Sequence, residues 1–94
     1  MEIKWLNKAL NNLDQEAEYI ASDNPHAARA VVRQIRDAIA LLAENPALGR
    51  PGRVTGTREL VINQTRYLVP YRVRGNNVEI LRIFHTSRKL PKSW

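Results

Sequence analysis

The apolar residues of this chain repeat with a helical period up to residue 42 and with a strand period from residue 58 onward. In the first half they recur at steps of three and four residues, the spacing that places side chains on one face of a helix. In the second half, residues 58–62, 66–73 and 78–84 are rich in the β-branched and aromatic types that strands favour. The change of period predicts an α+β domain in which the helices precede most of the sheet.

Two helices are predicted in the first half of the chain, joined by a few residues as a helical hairpin. Asn7 is the expected N-cap of the first helix, and Asn24 is that of the second, where Pro25 takes the first helical position. The second helix is expected to end at Asn45-Pro46, since a residue before proline resists the helical conformation. The expected apolar faces are Leu6, Leu10, Leu13, Ala17 and Ile20 in the first helix, and Ala28, Val31, Val32, Ile35, Ile39 and Leu42 in the second.

The predicted sheet begins with a short N-terminal strand at residues 2–5 and continues, after the helices, with three antiparallel strands. Residues 47–57 hold three of the four glycines and are expected to form an irregular loop. The Gly75-Asn76-Asn77 turn joins the last two strands as a hairpin. The chain is long enough for one core, so residues 1–94 are expected to form a single domain.

The length of the hairpin loop decides which side chains share a face of the sheet. With a two-residue loop, Phe84 is expected on the face of Tyr67, and His85 on the opposite face with Leu68; a three-residue loop exchanges these partners. Pro70 cannot donate a hydrogen bond to a neighbouring strand, so an edge, a bulge or an unpaired amide is expected beside it.

The positive charge is concentrated in the second half of the chain. Residues 1–47 hold five Lys or Arg and seven Asp or Glu, a net charge of −2, whereas residues 48–94 hold ten and two, a net charge of +8. A half of this kind indicates a polyanionic or an acidic protein partner. The alternative is that the cations serve solubility alone.

Several classes of site lack the residues they need. The chain has no cysteine, and its two histidines, His26 and His85, are far apart with no acidic cluster to join them, so we expect neither a metal nor another cofactor. The glycine-rich loop lacks the lysine and Ser/Thr of a nucleotide-triphosphate loop. Because neither a secretory signal nor an apolar run of about 20 residues is seen, we expect a cytoplasmic protein with no membrane partner.

His85 is the best-placed candidate for proton transfer, and it lies among cations. Metal-free RNA cleavage needs a group with a pKa near neutral and cations that stabilise the phosphorane-like transition state. His85 with Arg82 and Arg88 supplies both residue types. The alternative is a histidine that closes a strand by hydrogen bonding, beside solvated arginines, and composition alone favours it.

Four short stretches together resemble the ParE/RelE toxin superfamily of type II toxin–antitoxin systems, and they are closer to its ParE branch. They are residues 45–51 (NPALGRP), 54–61 (VTGTRELV), 67–73 (YLVPYRV) and 78–85 (VEILRIFH), the last followed by Arg88 and Pro91. With Trp5 and the helical hairpin, the resemblance spans nearly the whole chain. It implies a small bacterial toxin that a cognate antitoxin binds and neutralises, and that can assemble with it as a heterotetramer.

Two activities occur in this superfamily. RelE-like members cleave mRNA on the ribosome, whereas ParE-like members poison DNA gyrase and have no known nuclease chemistry. Ribonuclease members commonly carry an arginine three residues before the tyrosine of the strand, where it serves the scissile phosphate; here the position three before Tyr71 is Leu68. The resemblance therefore implies growth inhibition through DNA gyrase, without catalytic residues.

Two alternatives remain. One is a RelE-like, ribosome-dependent mRNA endonuclease, with the ribosome and mRNA as partners. The other is a non-enzymatic or decayed toxin that acts as a binding module. The catalytic residues of the nuclease alternative would be His85, Arg66, Arg82 and Arg88.

The resemblance also suggests which residues meet the partners. The antitoxin is expected to be acidic and to lie over the helical hairpin and the sheet, and the target is expected to meet the basic sheet and the C-terminal segment. The expected target contacts are Arg58, Arg72, Arg82, His85, Arg88, Lys89, Lys92 and Trp94. The expected antitoxin contacts are Leu10, Leu13, Val32, Ile35, Ile39, Arg50 and Arg53.

Overall fold

The computed structural model describes residues 1–94 and confirms the predicted α+β class, with a helical hairpin packed on one face of a mixed sheet. Neither helix is long and apolar enough to span a bilayer. The elements are β1 (Glu2–Trp5), α1 (Asn7–Ala21), α2 (Pro25–Ala40), a 3-10 turn (Leu41–Ala43), β2 (Arg50–Pro51), β3 (Arg58–Val61), β4 (Tyr67–Arg74), β5 (Asn77–Ile80) and β6 (Phe84–His85).

The two helices begin differently. The Asn24 side chain caps α2 as predicted, because its Oδ1 accepts a hydrogen bond from the Ala27 N–H at 3.1 Å. The prediction that Asn7 caps α1 is wrong, since Asn7 is already helical and Leu6 is the capping residue, without a side-chain hydrogen bond. Leu6 stays extended because its N–H donates to the Ile80 carbonyl at 3.1 Å, which continues the pairing of β1 with β5.

The buried face of α1 is centred one residue away from the predicted one. Its buried residues are Ala9, Leu13 and Glu16, which follow one another at steps of four and three. Leu10 lies at the margin of this face and is 37% exposed. A carboxylate, Glu16, thus occupies a place on the face that packs against the sheet.

The strands lie in the order β1-β5-β4-β3-β2, with β6 paired to β4 beyond the end of β5. β1 runs parallel to β5, and all other pairs are antiparallel. Within the predicted loop, Arg50 and Pro51 form β2 against β3. Glu59 of β3 binds Arg50, the first residue of β2, and Arg53, which follows β2, and these two ion pairs hold this part of the loop at the sheet edge.

The last predicted strand is interrupted by a β-bulge. Tyr71 pairs with Ile80, whereas Tyr67 pairs with His85, so between these pairs the second strand holds one residue more than β4. His85 therefore lies on the face of Tyr67, and Phe84 lies on the opposite face. The hairpin loop has two residues, and for that length the sequence predicts Phe84 on the face of Tyr67 and His85 on the opposite face. This prediction is wrong, because it assumed that the strands pair without a bulge.

Pro70 and Asn12 account for the bulge. Pro70 has no N–H to donate, and its carbonyl accepts the Leu81 N–H at 3.0 Å. Beyond this point the Ile83 N–H donates to the Asn12 Oδ1 at 3.1 Å. A side chain of α1 thus replaces a strand carbonyl, and the Ile83 side chain, 2% exposed, joins the core.

One hydrophobic core lies between the helical hairpin and the sheet. The first five residues of β4 are all buried, because the helices cover one face and the C-terminal segment, residues 86–94, covers part of the other. On that second face Trp94 packs against Phe84 with 5.4 Å between ring centroids. The core residues are Ala9, Leu13, Ile35, Ile39, Leu42, Leu60, Ile62, Tyr67, Val69, Tyr71, Val78, Ile80 and Ile83.

Candidate functional site

A polar pocket lies where α1, the start of β4 and the C-terminal segment meet. Its volume is about 560 Å³, and we call it the Glu16 pocket. Its side chains come from distant parts of the chain, among them α1, the first residue of β4 and the end of β6. Its lining includes Glu16, Tyr19, Arg66, Tyr67, His85 and Arg88.

Glu16 is the buried acid of this pocket, and each of its carboxylate oxygens is hydrogen-bonded. The Tyr67 hydroxyl donates to Oε1 at 3.1 Å, and the Arg88 guanidinium donates to Oε2. Burial, followed by the nearby Glu16 charge, raises the pKa of Tyr67 to about 12. The hydrogen bond that Arg88 donates to Glu16 also raises the pKa of Arg88. Both partners therefore stay protonated and keep the carboxylate bound.

His85 stands edge-on against the Tyr67 ring, with 5.2 Å between centroids and perpendicular planes. Its Nδ1 accepts the Ser87 N–H at 3.3 Å and lies 2.5 Å from the Ser87 Oγ. Because a backbone N–H can only donate, Nδ1 is an acceptor, and the proton of the neutral ring belongs on Nε2. A neutral ring in this tautomer can donate one further hydrogen bond, from Nε2.

The structure brings together three of the four residues of the nuclease alternative. Arg66, His85 and Arg88 line the Glu16 pocket. Arg82 does not line it, because its Nε donates to the Asn12 Oδ1 at 2.9 Å. The Arg82 guanidinium also lies 4.7 Å from the centroid of the Phe84 ring, which is on the face of the sheet opposite the helices. Within the pocket, Glu16 neutralises one of the remaining cations, Arg88.

Trp94, an expected target contact, is docked on the face of the sheet opposite the helices. Its indole Nε1–H donates to the Thr57 Oγ1 at 3.3 Å. The Arg53 guanidinium lies 5.0 Å from its ring centroid, on one side, and Phe84 packs against it. The indole is thus half-buried in a contact within the chain.

Several predicted partner contacts are arginines that bind within the fold. Glu59 is 3% exposed and binds Arg50 and Arg53, and the Arg53 hydrogen bond lowers the pKa of that carboxyl. Arg72 binds Glu79 with 2.5 Å between Nε and Oε1. The Glu59 pairs join β2 and the residues after it to β3, and the Arg72–Glu79 pair joins β4 to β5.

The other expected target contacts are spread over the surface. Arg58 donates to the Gly49 carbonyl at 2.8 Å and holds the loop before β2. Lys89 and Lys92 are exposed and belong to none of the ion pairs of the chain. Of the eight expected contacts, these two lysines are the ones left free for a partner by the fold.

The expected antitoxin contacts divide into core and surface residues. Leu13, Ile35 and Ile39 are at most 3% exposed and pack between the helices and the sheet, so the accessibility that the prediction assumed is corrected. Leu10 is partly exposed, and Val32 lines a groove of about 560 Å³ between α1 and α2. Arg50 and Arg53 lie at the sheet edge with Glu59.

Sequence patterns missed three residues on which the site depends: Glu16, Asn12 and Glu59. Glu16 could have been found, because it lies three residues after Leu13 and four before Ile20, on the apolar face of α1. For Asn12 and Glu59 the sequence holds no comparable pattern, since their roles depend on partners brought near by the fold.

The chain is similar to known proteins over nearly its whole length. Residues 3–90 match the family model described as the ParE toxin of the type II toxin–antitoxin system parDE. The Sinorhizobium fredii protein Y4kP, named as a candidate toxin, is 46% identical over 90 residues, which cover 96% of this chain and 93% of that protein. Toxin RelE2 of Caulobacter vibrioides is 34% identical over 87 residues, which cover 93% and 97% of the two chains.

A solved structure also matches this fold. It is described as the chromosomal ParDE TA system from P. aeruginosa, and the match has a TM-score of 0.82 and 33% sequence identity. It covers 90% of this chain and 95% of that chain. Sequence and fold therefore point to the same relatives.

Proposed function

We propose that this chain, which belongs to the ParE toxin family of type II toxin–antitoxin systems, inhibits growth by acting on DNA gyrase. The observation that carries the proposal is the place of Leu68. Ribonuclease members of the superfamily commonly hold an arginine at this position, but here the side chain is apolar and 1% exposed. A missing charge-stabilising group costs a transition state about 2.7–4 kcal/mol at comparable sites. Leu68 supplies no such charge and leaves no open surface for a phosphate.

The β-bulge adds support, because it separates His85 from the position of Leu68. His85 points to the helix side of the sheet with Tyr67, whereas Leu68 faces Phe84 on the other side. General acid–base chemistry needs the proton carrier within hydrogen-bond reach of the reacting group. A phosphate held at residue 68 would be on the wrong face for His85.

The contacts with gyrase are assigned to the free charges of the C-terminal segment and the neighbouring surface. Lys89, Lys92 and Arg66 are exposed and have no ion-pair partner in the chain. Charges of this kind attract an acidic surface or the phosphates of bound DNA. This assignment uses cations that do not hold the fold together.

A paired assay tests the proposal. Purified toxin, incubated with gyrase and plasmid DNA, is expected to reduce supercoiling or to accumulate cleaved DNA, and the same preparation is expected to leave translated mRNA intact. Lys92→Gln is expected to weaken the effect on gyrase, whereas Lys4→Gln, an exposed lysine of β1 with the same charge change, is not. Unaffected gyrase together with cuts at codon edges in mRNA would reverse the assignment.

The second candidate function is ribosome-dependent mRNA cleavage. It is favoured by the 34% identity to Toxin RelE2 and by the grouping of Arg66, His85 and Arg88 in one pocket. Under this hypothesis His85→Gln lowers the cleavage rate by roughly 10²–10⁴-fold, the usual contribution of a general acid or base. Under the gyrase hypothesis the same variant keeps most of its toxicity. A chain that is inactive in both assays and still binds antitoxin would be a binding module.

The family implies a cognate antitoxin as partner, and we infer that an acidic, amphipathic helix of it docks in the groove between α1 and α2. The groove has an apolar floor with a basic wall, and this combination suits a helix with one apolar and one acidic face. Glu18 and Asp37 also line it, so its net formal charge is three minus two, or +1. The floor is Ala17, Ala21, Ala28 and Val32, and the wall is Arg29, Arg33 and Arg36.

Charge reversal in the groove tests this placement. Arg29→Glu is expected to weaken antitoxin binding about tenfold or more in calorimetry, because it puts a like charge beside the acidic helix. Arg66→Glu makes the same charge change at an exposed arginine that lies outside the groove and belongs to none of the ion pairs, so it serves as the control. Binding is also expected to weaken at high salt. Equal affinities of the two variants would place the antitoxin elsewhere.

A further inference from the structure

We propose that Glu16 is a positioning residue that holds the C-terminal segment in place for its target by binding Arg88. The inference rests on the proposed function in one respect, namely that this segment carries target contacts. The anchoring itself is independent of which target the toxin meets.

A buried carboxylate on the core side of a helix needs a reason, because an unpaired charge there is costly. Glu16 is 9% exposed, and its two oxygens bind two different parts of the chain. Tyr67 belongs to the rigid sheet, and Arg88 belongs to the C-terminal segment. Glu16 therefore connects that segment to both α1 and β4.

The C-terminal segment has few other attachments to the body of the domain. The Thr86 N–H donates to the Arg66 carbonyl at 2.6 Å where the segment leaves β6. At the far end, Trp94 packs on Phe84, lies beside the Arg53 guanidinium, donates to Thr57 and accepts a hydrogen bond from Arg82 at its carbonyl. Of the five ion pairs in the chain, Glu16–Arg88 alone involves the segment.

Lys89 and Lys92 lie between these two attachments. No hydrogen bond fixes the backbone of residues 89–93, so the position of both ammonium groups depends on Arg88 at one end, on Trp94 at the other, and on the half-buried Leu90 and Pro91 between them. If the Glu16 anchor is lost, the segment gains conformations, and ordering them again costs binding free energy. Target binding is then expected to weaken although no target contact is removed.

Glu16→Gln isolates this role. The amide keeps the volume of the side chain and an acceptor for the Tyr67 hydroxyl, but it removes the charge that holds Arg88. Glu18→Gln is the matched control for the fold and for proteolysis, because Glu18 is exposed on the same helix and the charge change is identical; it is left out of the antitoxin measurement, since Glu18 lines the groove between α1 and α2. Circular dichroism and thermal unfolding of both variants report whether the fold is kept. Arg88→Gln breaks the same ion pair from the exposed side and is the second variant.

The first readout is trypsin cleavage after Lys89 and Lys92, followed by mass spectrometry. When opening is fast relative to cleavage, the rate follows the population of the open segment. Glu16→Gln and Arg88→Gln are expected to be cleaved at these bonds about fivefold faster or more, and Glu18→Gln at the wild-type rate. Equal rates for Glu16→Gln and Glu18→Gln would overturn the proposal.

The second readout is inhibition of whichever target the wild type inhibits. Glu16→Gln and Arg88→Gln are each expected to inhibit the target less than the wild type does. The double variant is expected to inhibit at least as strongly as the weaker of the two single variants, because both substitutions remove the same interaction. Antitoxin affinity is expected to stay unchanged. Faster cleavage with unchanged inhibition would also overturn the proposal. A wild type that leaves gyrase unaffected would refute the proposed function instead, and the trypsin comparison would still decide the anchoring.

Discussion

Tyr71 ties the loop before β2 to the sheet, so removing its hydroxyl is expected to destabilise the whole domain. The hydroxyl donates to the Pro46 carbonyl and accepts from the Gly49 N–H, both at 2.8 Å, and the residue is 0% exposed. Tyr71→Phe keeps the ring in the core and leaves both backbone groups without a partner. Leaving one buried polar group unsatisfied costs about 1–3 kcal/mol, so we expect a loss of about 2–4 kcal/mol in the free energy of unfolding.

Urea unfolding followed by circular dichroism measures this loss. The slope against urea is expected to stay constant, because the surface exposed on unfolding hardly changes, while the midpoint falls. Tyr19→Phe is the matched control, since Tyr19 is 71% exposed, and we expect it to stay within about 0.5 kcal/mol of the wild type. A Tyr71→Phe variant as stable as Tyr19→Phe would refute the reasoning.

The same contact explains why the loop carries a glycine at residue 49. A Cβ on Gly49 would lie 2.7 Å from the Tyr71 Cε1 and 2.8 Å from the Glu59 carbonyl oxygen. Both atoms are held by buried structure and cannot easily shift. Gly49 is therefore required by close approach of the backbone to the ring, which gives the Asn45–Pro51 stretch a physical role in closing the loop on the sheet.

Three further predictions concern groups whose partners the structure identifies. Burial and then the Glu16 charge raise the pKa of Tyr67 to about 12, from an ordinary value of 10.0, so the Tyr67 hydroxyl loses its proton at lower pH in the unfolded chain than in the folded one, and the free energy of unfolding falls above pH 10. The loss reaches roughly 2–3 kcal/mol by about pH 12, and Tyr67→Phe should not show this pH-dependent loss in alkaline unfolding. Arg53 lowers the pKa of Glu59, so the stability that this carboxylate contributes is complete above the unfolded-state pKa of about 4.3 and is lost as the pH falls through the folded-state pKa. The urea midpoint of Glu59→Gln should therefore fall less steeply than that of the wild type as the pH is lowered. Asn12→Ala removes the acceptor of the bulge and should cost about 1–3 kcal/mol in urea unfolding, whereas the exposed neighbour Asn11→Ala should be nearly neutral.

The elements were predictable where the decisive interactions are local. The helical and strand periods, the Asn24 cap and the place of the hairpin turn all depend on residues near one another in the chain, whereas the length of the hairpin loop was left open between two and three residues. The bulge was not predictable in its effect, because the acceptor for Ile83 comes from Asn12, which is 71 residues away. A single residue of slip inverts the face of every side chain beyond it, so one distant hydrogen bond decided where His85 points.

The partner surfaces were harder to predict than the fold. An apolar stripe on a helix can face a core or a partner, and the sequence does not separate the two uses. Ile35 and Ile39 are assigned to the core by the sheet that covers them, whereas Val32 on the same helix remains in an open groove. The position of the sheet therefore decides which apolar residues of the helix belong to the core and which stay accessible to a partner.

The positive charge of the second half serves two purposes, which the formal charge of +8 does not distinguish. Three acids, Glu16, Glu59 and Glu79, are bound by arginines that join separate elements, and these arginines are part of the fold. Removing one of them would weaken the domain as well as any binding, so loss of toxicity alone would not show a target contact. Lys89 and Lys92 have no such duty. A partner that recognises this half of the molecule must therefore be sought first with these lysines, and with Glu16, which fixes the segment that carries them. The arginines that bind Glu16, Glu59 and Glu79, and that are therefore less suitable for such a search, are Arg50, Arg53, Arg72, Arg74 and Arg88.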